Sequence, residues 1–265
     1  MTTTASAAPA VGDLLRTWRQ RRRRSQLDLA GAADVSTRHL SFIETGRSTP
    51  SRDMIQRLCD ELDVPLRERN EVYLAAGFAP VHRRRPLAEL GPVLEAVDAV
   101  LAGHEPNPAV AVDARWDMLG ANRAMERFLA DIPPPLAEPP VNMLRVTLHP
   151  DGLVARLRNG RQWRAHALRR VRRQLERTAD PQLAALLAEL TAYPVPDGED
   201  APGGVGDVVA PMRLATDAGD LSLLYTVTVF GSPRDVTVDE VAIETFFPAD
   251  AATRAALTAL AASDG

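Results

Sequence analysis

The sequence predicts an all-helical N-terminal module followed by a larger α+β module, an α + (α+β) chain in all. Three observations carry this. At 265 residues the chain exceeds the size, about 250 residues, at which single cores stop growing, so it suits two domains. Apolar residues recur at helical spacing across residues 11–78, whereas beyond residue 89 helical stretches alternate with short strand-like runs. Charge also changes sign: residues 1–85 carry 15 arginines against 10 acidic residues, net +5, and residues 86–265 carry 16 against 25, net −9. The chain has no lysine, so its basic charge is all guanidinium. That suits bidentate contacts to phosphate and guanine, and equally fits a compositional bias of the genome.

Residues 1–10 are small and polar, lack the basic-then-apolar order of a secretory signal, and read as a disordered leader. The composition is 45% hydrophobic with mean hydropathy −0.15, and no apolar run approaches the ~20 residues of a membrane span. The expectation is a soluble, cytoplasmic protein without a membrane partner. The single cysteine, Cys59, sits in the helical pattern Met54-Ile55-Leu58-Cys59-Leu62 and reads as a small packed hydrophobe.

The helices of the first module, residues 11–80, follow from periodicity and caps. Residues 11–23 place Leu14, Leu15 and Trp18 on one face. Ser25 is positioned to cap a second helix, residues 26–33, with Leu27, Leu29, Ala30 and Ala33 turned inward. After a break at Asp34-Val35, Ser36 caps a third, residues 37–44, whose core pair is Leu40 and Ile43. Two more are expected over residues 52–62 and 66–76. Two short helices joined by so tight a turn make a helix-turn-helix.

The run Gln26-Leu27-Asp28-Leu29-Ala30, Val35-Ser36, Leu40-Ser41-Phe42-Ile43-Glu44-Thr45-Gly46-Arg47 and then Pro50 resembles the XRE-type, λ-repressor-like helix-turn-helix. The resemblance implies a five-helix domain bound to double-stranded DNA. Its third helix would enter the major groove, with Ser36, Thr37, Arg38, His39 and Phe42 reading base edges. Arg38 would pair with a guanine, and Phe42 or the Thr37 methyl would touch a thymine methyl. The resemblance also assigns backbone contacts to Gln26, Thr45 and Arg47, and an internal ion pair to Arg19 and Glu44. The run Arg21-Arg22-Arg23-Arg24 has two readings, solvated charge favourable to a helix C-terminus or a row along the phosphates. Arg24 departs from the apolar residue usual at its position, so its stem would have to snorkel over the core.

Residues 81–88 read as a linker and residues 89–265 as the second domain. A helix is expected over residues 90–102, with Val93, Leu94, Val97, Val100 and Leu101 as its apolar stripe. Strands over 109–113 and 116–120 flank a turn at Asp113-Ala114-Arg115, and Asn122 caps a helix to Leu129 that a proline-rich loop ends. Helices follow over 150–158, 161–178 and 181–190. A Gly/Pro/Asp loop spans 194–206, then come strands over 208–214, 221–230 and 241–247 and a last helix over 251–262. This is the order of a PAS-like fold, an antiparallel sheet covered by helices on one face.

The segments Pro108-Ala109-Val110-Ala111-Val112-Asp113, Trp116 to Asn122, Asn142-Met143-Leu144-Arg145, His149-Pro150 and Phe246-Phe247-Pro248 resemble the MmyB-like ligand-binding domain that follows XRE-type modules. The resemblance implies a pocket for a small, largely apolar, fatty-acid-like molecule linked to DNA binding. Candidate lining residues are Trp116 and Met118 on a shared strand face, Phe128, Met143, Tyr225, and the helical neighbours Trp163 and His166. Tyr225 shares its strand face with Val227 and Val229, opposite Thr226, Thr228 and Phe230. Arg145, His149 or His166 would hold a carboxylate. Each of these residues has a core-packing or hydrogen-bonding alternative.

The sequence contains no Gly-x-Gly-x-x-Gly, no Gly-x-Ser-x-Gly and no phosphate-cradling Gly-Lys pair. The cysteine and the five histidines, at 39, 82, 104, 149 and 166, lack zinc-site spacing, so neither enzyme, cofactor nor metal is expected. Two functions stand. One is a sequence-specific regulator, a homodimer on paired half-sites, whose second domain senses a small molecule. The other is a DNA-tethered interaction module whose second domain dimerises or contacts RNA polymerase, which a fully packed second core would favour. An antitoxin-like role fits poorly with so large a second domain.

Overall fold

Each of the first five helices stops on a left-handed residue, and three of them start on a capping serine. The five are α1 (Val11–Arg21), α2 (Gln26–Ala32), α3 (Thr37–Glu44), α4 (Arg52–Glu61) and α5 (Leu66–Ala75). The Ser25 side chain accepts the Asp28 N–H while Asp28 accepts the Ser25 N–H, a full capping box. Ser36 and Ser51 cap α3 and α4 by accepting the N–H groups of His39 and Met54, without the reciprocal bond. The stops lie at Arg23, Asp34, Gly46, Asp63 and Gly77, all with positive φ. Each is followed by an N–H that reaches back five residues, as from Val35 to the Ala30 carbonyl at 2.9 Å and from Arg47 to Phe42 at 2.8 Å.

The computed structural model describes residues 9–86, 89–195, 211–217, 219–231 and 233–262. The leader over residues 1–8, most of the 194–206 loop and the start of the strand expected at 208 lie outside the described residues. The chain divides into two compact units, the first chiefly the residues up to Arg84 and the second most of the remainder.

In the first unit Leu15, Trp18, Leu29, Leu40, Ile43, Ile55, Leu58, Cys59, Leu62 and Val72 form one core. Leu27, expected to face inward, is 70% exposed. It sits two residues, about 200° of helix, from Leu29 and so on the opposite face. Gly12 lets α1 approach α3, since a Cβ there would lie 2.3 Å from the Ile43 carbonyl oxygen. The arginine run has a role that neither sequence reading named. Arg22 donates to the carbonyls of Leu62 and Asp63 at 2.7 and 2.6 Å, and Arg24 to that of Glu61 at 2.7 Å, so both cap the C-terminus of α4. Arg24 reaches that polar terminus, which explains how it replaces an apolar residue.

The second unit is built on α6 (Gly91–Gly103), β1 (Ala109–Val112), β2 (Met118–Ala121), α7 (Arg123–Leu129), α8 (Pro134–Ala137), α9 (Met143–Leu148), α10 (Gly160–Thr178), α11 (Pro181–Ala192), β3 (Met212–Thr216), β4 (Gly219–Val229), α12 (Val236–Asp239), β5 (Ala242–Pro248) and α13 (Ala251–Ala262). Its five strands form an antiparallel sheet in the order β2-β1-β5-β4-β3. Helices cover one face as expected, but α6 also covers part of the other. Val110 and Val112 of β1 join the large core with Trp163, Leu168 and Val171 of α10. Ala109 and Ala111 face Val97 and Leu101 of α6. Burial on both faces is why β1 reads Ala-Val-Ala-Val without polar alternation.

Where a helix was expected over 150–158 the chain forms a turn and a 3-10 helix over Leu153–Arg156, and α9, which was not expected, ends before them. Pro150 disfavours helical geometry at His149 and so ends α9 there, while Asn142 caps its start by accepting the Arg145 N–H. The short helices α8 and α12 were also not expected. Asn122, Asn142 and Asn159, all buried, tie loops to strands. Asn122 accepts from the Ala109 and Met125 N–H groups and donates to the Leu101 and Asn107 carbonyls. Asn142 donates to the Arg115 carbonyl and to Asp117. The asparagines of the resemblance motifs are therefore architectural.

Candidate DNA interface and ligand site

On α3, Ser36 and Arg38 are exposed and Thr37, His39 and Phe42 are partly exposed, so all five base-reading candidates reach the surface. Two guanidinium groups lie over the Phe42 ring, with the Arg38 and Arg47 carbons 5.4 and 5.8 Å from its centroid. This holds both long side chains beside one apolar plate. Arg47 follows Gly46, whose φ of +72° turns the chain at the end of α3. Of the backbone-contact candidates, Gln26 donates one amide hydrogen to Glu44 at 2.8 Å and keeps a second donor. Thr45 donates its hydroxyl to the Ser41 carbonyl at 2.7 Å, so a phosphate contact there needs that bond released.

Behind this surface Arg19 grips the buried Glu44 through two parallel bonds of 2.6 and 2.7 Å, the pair that the family resemblance implied. Burial pushes the Glu44 carboxyl up, but hydrogen bonds from Arg19 and Gln26 and the charges of Arg19 and Arg16 outweigh it and hold the group below its ordinary range. The carboxylate thereby links α1, α2 and α3.

In the second unit the nine expected pocket residues fall into three groups. Trp116, Phe128, Met143 and Trp163 are buried members of the large core, with Met118 and Tyr225 packed against it. Trp116 does not alternate with Met118 on a strand as expected. It occupies the turn before β2 with φ +71°, which Asp113 fixes by accepting the N–H groups of Arg115 and Asp117. Arg145 and His149 belong together elsewhere. Arg145 pairs with Glu189 through two 2.8 Å bonds, the Tyr193 hydroxyl donates to the same carboxylate at 2.6 Å, and the His149 ring meets Tyr193 edge-on.

His166 stacks on Trp163, and its Nε2 lies 3.0 Å from the Tyr225 hydroxyl. Burial first, then the charges of Arg170, Arg169 and Arg173, push its imidazole down to about 4. A neutral ring is a weak carboxylate clamp. The residue that fits that task was missed by the sequence reading. Arg170 donates to Glu244 at 2.7 Å, and its guanidinium carbon lies 4.3 Å from the Trp116 ring and 4.7 Å from Tyr225. Burial raises the Glu244 carboxyl, and the Arg170 charge opposes this without cancelling it. Gln174 completes the face by accepting from the Trp116 indole and donating to the Ala114 carbonyl.

Residues 163, 166, 170 and 174 recur at helical spacing, and Glu244 interrupts an apolar strand. Together those signals could have pointed to the pair. Among the described residues no group of His, Cys, Asp and Glu could hold a metal ion, and no helix is long and apolar enough to cross a membrane.

Residues 10–72 match a helix-turn-helix domain family, and residues 93–260 match the MmyB-like transcription regulator ligand binding domain. The chain belongs to the MmyB-like transcription regulators. The regulator is also 34% identical over 91 residues to the transcriptional regulator ClgR of Mycobacterium tuberculosis, in strain H37Rv and in strain CDC 1551 / Oshkosh alike. That match covers 34% of this chain and 78% of the relative. The regulator is thus a DNA-binding protein of transcription whose larger part is a member of a ligand-binding domain family.

Proposed function

We propose that this regulator acts in the cytoplasm as a homodimer and reads its operator through Ser36, Thr37, Arg38, His39 and Phe42, with Gln26, Thr45 and Arg47 on the phosphates. Its second domain senses a small, largely apolar molecule with an acidic head, of fatty-acid type. The modules are residues 11–80 and 89–265, joined by residues 81–88. The observation that carries the ligand reading is an aromatic wall, Trp116, Trp163, Tyr225 and Phe246, that meets the partly exposed guanidinium of Arg170. A carboxylate head entering there would compete with Glu244 for Arg170, and Glu244 is the partner that burial already inclines to take a proton. Coupling to DNA requires that the ligand bind the two DNA-affinity states unequally.

A second reading, an interaction module that dimerises or meets RNA polymerase, draws support from the close packing of Trp116, Phe128, Met143 and Trp163, each no more than 9% exposed. Two titrations decide between them. The first adds wild type and Arg38→Ala to a labelled fragment from upstream of the coding region. Loss of specific binding in the variant supports base reading by α3, and equal binding removes Arg38 from it. The second adds straight-chain fatty acids of graded length to a Trp18→Phe variant and follows tryptophan fluorescence. Saturable quenching that an Arg170→Met variant, shown by dichroism to be folded, loses supports the sensor, whereas no saturable change at any chain length supports the interaction module.

A further inference from the structure

We propose that the solvent face of α10 makes a second, sequence-independent contact with DNA, in addition to that of α3. Seven arginines lie on this one helix. Two have structural partners: Arg164 donates to the carbonyls of Leu190, Thr191 and Tyr193 at the end of α11, and Arg170 pairs with Glu244. The other five, Arg161, Arg169, Arg172, Arg173 and Arg177, are exposed, and among the described residues none has a hydrogen bond or ion pair.

The contrast with the rest of the domain is chemical. Residues 86–265 are acidic, net −9, and several of their other arginines are neutralised in pairs: Arg115 with Asp180 at 3.0 Å, Arg145 with Glu189 at 2.8 Å and Arg158 with Asp220 at 3.0 Å. Acids are abundant here, yet the α10 face carries one, the exposed Glu176. Concentrated, unneutralised charge on an acidic domain calls for an anionic partner.

Spacing favours a phosphate backbone. Arg169, Arg173 and Arg177 are four residues apart and form one row, each step advancing about 6 Å, with Arg172 alongside. The row spans about 12 Å, roughly the axial run of four to five phosphates of one strand at ~3.4 Å of helix axis each. Guanidinium groups suit this partner because their planar fork meets phosphate oxygens in pairs. The chain already carries a DNA-reading module, so once that module is engaged phosphate is present at high effective concentration.

The test uses the full chain and a random-sequence 60-base-pair duplex, so it depends on neither an operator nor a ligand. The affinity of wild type is measured against salt and compared with an Arg169→Gln, Arg172→Gln, Arg173→Gln, Arg177→Gln variant and with the same four positions changed to lysine. Far-ultraviolet dichroism and melting check the fold of each. The glutamine variant is expected to show a log–log salt slope shallower by about 2–3, at ~0.9 per lost phosphate contact, and the lysine variant to keep most of the wild-type slope. A folded glutamine variant with the wild-type slope overturns the proposal. So does a loss of binding that follows a loss of self-association in sedimentation, which would assign the row to a second copy of the chain.

Discussion

Removing the Arg170 guanidinium should expose how strongly the buried carboxylate of Glu244 depends on it. The side chains are 18% and 8% exposed, and the ions are 2.7 Å apart. At an effective dielectric of about 20 and a separation of roughly 3 Å, the attraction is on the order of 5 kcal/mol before desolvation is counted. Breaking such a pair from one side typically costs about 3–5 kcal/mol, because the remaining charge is left buried. Arg170→Met is therefore expected to destabilise the second unit by roughly 3–4 kcal/mol at pH 7. The penalty should shrink on acidification, by up to about 1.4 kcal/mol per pH unit below the raised Glu244 value, as the orphaned carboxyl takes a proton. Arg170→Met combined with Glu244→Leu should recover at least about 2 kcal/mol. Urea denaturation of a Trp18→Phe background measures this through Trp116 and Trp163, both in the second unit. Additive, pH-independent effects within about 0.5 kcal/mol would refute the reasoning.

Four further outcomes are expected. Gly12→Ala should cost the first unit about 1–3 kcal/mol, because a methyl group would press on the Ile43 carbonyl; the check is denaturation read from Trp18 in a variant without the other two tryptophans. Glu44→Ala should destabilise the first unit by about 3 kcal/mol and weaken DNA binding, since Arg19 and Gln26 lose their shared acceptor. His166 is held at about 4 against an ordinary 6.5, so the unfolded chain takes up a proton that the folded one refuses as pH falls through that range. Stability should drop by about 1–2 kcal/mol between those limits after allowing for solvent screening at this half-exposed ring, and His166→Gln should flatten the profile of melting temperature against pH. Burial pushes the Cys59 thiol up to about 12, so it should react with an aromatic disulfide reagent at pH 8 only at the rate of unfolding.

Much of the local chemistry was legible in the chain. Serines at 25 and 36, the Asp34 and Gly46 stops and the Leu40–Ile43 spacing define the helix-turn-helix through interactions spanning no more than six residues. The strands, the Asn122 cap and the long basic helix were likewise readable, because period and capping are local properties. Where neighbours along the chain compete, the reading failed: Pro150 ended a helix rather than starting one, and Leu27 faced water although its residue type suggested the core.

The long-range partnerships belong to the tertiary structure alone. Arg22 and Arg24 meet the end of α4 some 40 residues away, and Arg170 finds Glu244 at a separation of 74. No periodicity encodes such pairings, because they depend on which strand lies beneath which helix. An arginine on a helix looks the same in sequence whether its partner is a carbonyl, a buried carboxylate or water. Only the packing of α10 against the end of α11 and on the sheet separates Arg164 and Arg170, which bind the fold, from the five arginines that it leaves facing solvent.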